Sequence, residues 1–289
     1  MKIYYVKINK MRKLIFIHFL IVIQLNAQEK ISLNYQKWEL NSFKENRVFI
    51  SEKEGFFLDN ISEPEMYLYK PQGNSITDKT MIICPGGGLF FSAYEKEGVI
   101  LAEKLALNGI TAIVLKYRTY PRKGSVVSWA NTIWDKPQMA IDSAKLILPY
   151  STKDALNAIE LMRDKSAKYN INPNKIGLMG FSAGGAVTME AAYTSTTKNK
   201  PNFIAPIYAW MDIVDKQKVP LYKPQAFISC ANDDELAPAS VQIYQDWIQA
   251  DAKAELHMFS EGGHGYGMNK MDGPVDGWSQ LLIDWILAL

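Results

Sequence analysis

The chain has 289 residues, 48% of them hydrophobic and 21% charged. That length and balance suit a globular fold with a sizeable core and exclude a disordered or fibrous chain. The formal net charge is +2, but residues 1–27 hold five of the 32 basic residues and none of the 30 acidic ones. The remainder therefore carries 27 against 30, a net of −3, and no nucleic-acid partner is expected.

The first residues have the order of a secretory leader. Lys2, Lys7, Lys10, Arg12 and Lys13 precede an apolar run over 14–25 that is broken by His18 and Gln24. Leu25-Asn26-Ala27-Gln28 then offers a small residue before a cleavage point. The sequence predicts a signal peptide over 1–27, with Met11 as an alternative start, and an exported, periplasmic or secreted remainder. The run is too short and too interrupted for a membrane span, so no stable membrane insertion is expected once the leader is removed. A buried N-terminal strand is the structural alternative. No cysteine stands near the cut, so no lipid anchor is expected.

From residue 28 onward the elements follow one another as follows. Short strands are predicted near 48–51 and over 65–70, with a turn near Asp59-Asn60. An apolar strand over 80–84 runs into Pro85-Gly86-Gly87-Gly88. A helix over 95–108 closes at Gly109, and 110–117 reads as a central parallel strand. Residues 118–150 form a long insertion, polar at first and weakly helical towards Leu148, that can wall a site. A helix is predicted over 152–168, a strand over 176–179 and a small-residue helix over 183–193. Strands over 203–209, 225–231 and 254–259 alternate with helices over 238–250 and 278–287. This rhythm predicts an α/β fold, a mostly parallel central sheet with helices on both faces, in one domain over 28–289.

The chemistry centres on Gly180-Phe181-Ser182-Ala183-Gly184-Gly185, at a strand end that opens a helix. A serine on so sharp a turn is exposed above the helix N-terminus, where developing negative charge is favoured. A glycine-rich turn with a capping serine is the structural alternative. A serine needs a base. Beyond the leader only His257 and His264 remain. His257 lies inside a strand and reads as structural or solvent-facing. His264 lies in a glycine loop, Gly262-Gly263-His264-Gly265, just beyond that strand, and is the candidate base. The acid that orients it should follow the strand over 225–231, where Asp234 is preferred and Asp233 is the rival. Either aspartate also suits a solvated turn or a helix cap. Backbone donors for an oxyanion are expected at Ala183 and at Gly87 or Gly88. No Gly-Lys-Ser/Thr follows the glycine loop, so a nucleotide site has little support. Cys84 and Cys230 sit at the ends of apolar strands and read as free thiols, although export permits a disulfide. No metal-ligand spacing is present, and no cofactor is expected.

Together, Pro85-Gly86-Gly87-Gly88, Lys116-Tyr117-Arg118, the elbow at 180–185, Asn232 to Pro238 and Gly262 to Gly267 resemble the α/β-hydrolase superfamily. The likeness runs from about residue 65 to the C-terminus. It is nearest to bacterial acetylxylan or feruloyl esterases and to esterases of the hormone-sensitive-lipase group. The resemblance implies a triad of Ser182, Asp234 and His264 acting on a small acylated sugar or oligosaccharide. Lipase-like members carry histidine where this chain has Pro85, a residue outside the triad. The segment 210–224, where many relatives carry a lid, is short here. Trp129 and Trp134 in the insertion offer a flat face for a sugar ring, or else core packing. An exported peptidase resembling the catalytic domain of prolyl oligopeptidase and a non-catalytic binding protein on the same fold are the competing functions.

Overall fold

The computed structural model describes residues 29–37, 43–73 and 75–289. The expected leader and its cleavage point lie outside the described residues.

Eleven strands appear among the described residues. They are Glu29–Ser32 (β1), Asn46–Ser51 (β2), Gly55–Asp59 (β3), Glu65–Tyr69 (β4), Thr80–Cys84 (β5), Phe91–Ser92 (β6), Thr111–Lys116 (β7), Ile176–Phe181 (β8), Phe203–Ile207 (β9), Gln225–Ala231 (β10) and Ala254–Phe259 (β11). Eight of them form one sheet in the order β1-β4-β7-β5-β8-β9-β10-β11. The run from β7 to β11 is parallel, and β1 and β4 pair antiparallel at one side. Every residue of β5, β7, β8 and β9 is buried, which is why these strands read as continuous apolar runs.

The helices cover both faces. They are Ile100–Leu107 (α1), Val126–Trp134 (α2), Pro137–Asp164 (α3), Ser166–Tyr169 (α4), Ala183–Thr194 (α5), Ala237–Gln249 (α6) and Trp278–Ala288 (α7). Alternation along β5 shows the two layers. Ile82 and Cys84 pack with α3 and α5, while Met81 and Ile83 pack with α1 and α7. Trp247 of α6 anchors a third cluster with Met189, Ile204 and Ile228.

Two regions differ from the sequence reading. The insertion at 118–150 is largely helical, and its weak pattern fuses with the helix predicted from 152 into the 28-residue α3, which runs through Pro149. Proline inside a helix costs about 3 kcal/mol or more. Here Ala140, Ala144, Ile147, Leu148, Ala155 and Ile159 are buried on both sides of it, and that packing outweighs the break. A buried Arg118–Asp154 pair, 2.6 Å between Nη2 and Oδ1, ties the exit of β7 to α3. The second difference lies before α1, where the predicted helix begins as a π-helical turn, Tyr94–Val99. In addition, β2, β3 and β6 form a separate antiparallel sheet that no motif announced.

The strand order places the site. From β5 the chain crosses to β7 on one side and then returns to β8 on the other. Loops leaving such a switch point part and leave a crevice outside the strand ends. The glycine loop after β5 and the serine turn after β8 face each other there.

Candidate active site

Ser182 stands between β8 and α5 with φ 51° and ψ −118°. A non-glycine residue held in so sparsely populated a region costs on the order of 1–3 kcal/mol, and the surrounding bonds must enforce it. They do so on both sides. The Ser182 amide donates to the Ile207 carbonyl at 3.0 Å, and its carbonyl accepts from the amides of Trp210 at 3.0 Å and Ala186 at 3.1 Å. The flanking glycines are required by close approach. A β-carbon at Gly184 would strike the Cys84 carbonyl, and one at Gly180 would strike the Gly184 carbonyl.

Three side chains from three loops meet at this turn. His264 Nε2 lies 2.9 Å from Ser182 Oγ, and His264 Nδ1 lies 2.9 Å from Asp234 Oδ2. The Asp234 side chain is fully buried, and its second oxygen accepts the Leu236 amide at 2.8 Å. The His264 side chain remains 38% exposed, open to a substrate. The two aspartates are therefore separated by geometry. Asp233 does not reach the imidazole, and its Oδ1 accepts the Gly263 amide at 2.8 Å, pinning the loop that carries His264. That backbone bond holds the Asp233 carboxyl below the usual range. His257 lies elsewhere, stacked on Phe227 with ring centroids 4.6 Å apart and Nε2 3.2 Å from Glu255.

Gly87 and Gly88 line the same cleft as Ser182. Their loop is turned back by hydrogen bonds from the amides of Phe90 and Phe91 to the Gly87 carbonyl, at 3.0 and 3.2 Å. Gly88 has φ +65°, and a β-carbon there would press on the Trp134 ring. Ala183 is the first residue of α5, so its amide is one of the donors that a helix start leaves without a partner in the helix.

The cleft encloses about 730 Å³, and its lining includes an apolar and a polar group of side chains. Trp134, Pro137, Ile141, Trp210 and Leu236 make up the apolar group, with Trp134 and Trp210 edge to face at 5.7 Å. Lys53, Glu54, Lys96 and Asn269 make up the polar group. Within it Lys96 Nζ sits 2.8 Å from Glu54 Oε2, and the Asn269 amide is oriented to accept from Lys96 at 2.9 Å. Of the two tryptophans singled out in the sequence, Trp134 lines the cleft. Trp129 instead packs on Phe90 at 4.3 Å and on Tyr120.

Sequence reasoning missed Trp210, Tyr208 and Glu97. Glu97 belongs to a charged run, Glu95-Lys96-Glu97, that reads as a solvated helix face, yet it is 4% exposed. The wider π-helical turn carries it inward. The one available signal was Gly98, whose added β-carbon would lie 2.8 Å from Val114 Cγ1, so this side faces the sheet. Cys84 and Cys230 are buried free thiols. Among the described residues no group of three His, Cys, Asp or Glu side chains is placed to hold a metal, and no helix is long and apolar enough to cross a membrane.

Comparison with known proteins agrees with this architecture. The profile of the BD-FAE family matches residues 142–257. An acetylxylan esterase from Xylanibacter ruminicola is 24% identical over 264 residues, covering 80% of this chain, and the chain spans about half the length of that relative. Among solved structures, an acetyl ester-xyloside bifunctional hydrolase from Caldicellulosiruptor lactoaceticus superposes with TM-score 0.57 at 23% identity, over 78% of this chain and 88% of that one. MGS-M1, an α/β-hydrolase enzyme from a Medee basin deep-sea metagenome library, gives TM-score 0.57 at 23% identity, over 85% and 98%. The chain has the α/β-hydrolase fold, and the proteins it resembles include an acetylxylan esterase.

Proposed function

We propose that this chain is an exported serine carboxylester hydrolase that removes acetyl or another short acyl group from fragments of plant polysaccharide such as xylan. The observation that carries the reading is the single imidazole joining Ser182 Oγ and Asp234 Oδ2, at 2.9 Å to each. Ser182 attacks the ester carbonyl while His264 Nε2 takes its proton. Asp234 accepts from Nδ1–H, fixes the tautomer and stabilises the imidazolium. The amides of Ala183 and of Gly87 or Gly88 hold the oxyanion. His264 then protonates the departing sugar oxygen and activates the water that frees the acyl group.

The substrate class is supported by two things. The relatives named above are an acetylxylan esterase and an acetyl ester-xyloside hydrolase. The cleft lining also includes an apolar group, suited to a short acyl chain, and a polar group of Lys53, Glu54, Lys96 and Asn269, suited to sugar hydroxyls. Export is supported by the basic start, the apolar run and Ala27.

A substrate panel tests the reading. It compares acetyl, butyryl and octanoyl aryl esters, acetylated and feruloylated xylo-oligosaccharides, and a proline-containing aryl amide. Acetyl compounds are expected to have the highest kcat/KM. A steep octanoyl preference would turn the reading towards a lipase, dominant amide cleavage towards a peptidase, and no turnover towards a binding protein. Sequencing the exported form should find Gln28 at or next to its N-terminus.

A further inference from the structure

We propose that Glu97 is a positioning residue of this reaction, a buried carboxyl group that ties the glycine loop bearing the oxyanion donors to the loop bearing His264. The inference rests on the hydrolase reading above.

Glu97 reaches both loops at once. Its Oε2 accepts the Gly86 amide at 2.7 Å, one residue before Gly87. Its Oε1 accepts the Tyr208 hydroxyl at 2.8 Å. That hydroxyl in turn accepts the Gly267 amide at 3.0 Å, three residues beyond His264. The Tyr208 ring also stands edge-on to the His264 ring, with centroids 5.1 Å apart. One carboxyl and one phenol thus set the spacing between the two sides of the reacting centre. The fit at Gly86 is close, because an added β-carbon would lie 2.7 Å from Glu97 Oε2 and 3.2 Å from Ser182 Cβ. Tyr208 is itself held at φ 35°, its amide bonded to the Ser229 carbonyl at 2.7 Å. Misplacing a catalytic group by about 1 Å can cost on the order of 10²-fold in rate. A bridge of this kind controls that distance.

The bridge places an acid in a buried site. Burial pushes the Glu97 carboxyl up from its ordinary range, opposed by Lys96 and by the bonds from Tyr208 and Gly86. The groups facing it are Lys96 on its own turn, Tyr117 after β7, Tyr208 after β9, and His264 and Tyr266 on the loop after β11. With the folded value above the unfolded one, the folded state binds the proton more readily, and stability falls as pH rises through the folded value.

Glu97→Gln separates the two roles. The amide still accepts from Gly86 and can donate to the free lone pair of Tyr208, but it offers no second acceptor for the Tyr208 proton. With an aryl acetate as substrate, kcat should fall by about 10- to 100-fold with KM nearly unchanged. Leaving the Tyr208 proton unpaired lowers stability while removing the buried acid raises it, so Tm at about pH 8 should move by only a few degrees and the variant should stay folded at the assay temperature. Tyr208→Phe, which cuts the link to Gly267, should lower kcat by about tenfold, again with little change in KM. Wild-type kcat in either variant would overturn the proposal. A fall in kcat that tracks loss of folded protein at the assay temperature for Glu97→Gln would do so too, since it would mark a structural role. A wild-type protein that turns over no ester would sink the hydrolase reading itself, whereas an active wild type beside a fully active Glu97→Gln would sink only the bridge.

Discussion

At the serine turn, six consecutive residues from Gly180 to Gly185 carry nearly all that the local geometry needs, whereas the walls of the cleft are gathered from six separate stretches of chain. Lys53 and Glu54 come from the β2–β3 hairpin, Lys96 and Glu97 from the π-helical turn, Trp134 and Ile141 from α2 and α3. Trp210 follows β9, Leu236 follows β10, and Asn269 follows β11. The difference teaches where change is tolerated. The turn is over-determined by backbone contacts with no spare volume, so a single methyl there strikes a carbonyl oxygen. The walls also include exposed side chains such as Trp134, and replacing one of those alters what fits without disturbing the sheet.

The sharpest way to break this comparison is at the proposed nucleophile. Ser182→Ala should lower turnover of an aryl acetate by about 10³-fold or more while leaving Tm unchanged, and it should abolish labelling by a fluorophosphonate probe. Full activity in that variant would remove the chemistry from the turn altogether. His264→Ala should lose about as much, because members of a triad act as a unit, while His257→Ala should be nearly silent.

The acid is the next test. Asp234→Asn should cost about 10³-fold or more in kcat through the wrong imidazole tautomer. Asp233→Asn should cost less than about tenfold, since an amide oxygen can still accept from Gly263. A reversed order would move the orienting role to the neighbouring residue.

Gly184→Ala probes the tightness of the turn. With its β-carbon driven into the Cys84 carbonyl, stability should fall by about 1–3 kcal/mol, read as a lower urea midpoint at constant slope. A neutral result would show that the turn has more room than its contacts imply.

The smallest effect is expected at the wall. Trp134 is exposed enough that Trp134→Ala should leave the fold intact. It should raise the butyryl-to-acetyl ratio of kcat/KM by about tenfold, the low end of what one methylene is worth in an apolar pocket. An unchanged ratio would move the acyl group to another part of the cleft.

The amino-acid sequence by itself determined the alternating architecture and the serine turn, and it pointed to His264 and to Asp234 or Asp233 as the proposed partners of Ser182. Each of these depends on residues adjacent in the chain: an apolar run for a buried parallel strand, glycines at a turn where backbone meets backbone, a histidine on a glycine loop after a strand. Tertiary structure decided the rest. Asp234 and Asp233 are alike as neighbours, and only the direction in which the loop after β10 leaves the sheet sends one to the imidazole and the other to Gly263. Pro149 looks like a helix end until the buried faces on both sides of it are packed against the sheet. Glu97 looks solvated until a π-helical turn rotates it beneath Gly86 and Tyr208. The physical reason is common to all three. Propensity and pattern act over a few residues, while burial is set by what the fold brings up from far along the chain, and the larger energy decides.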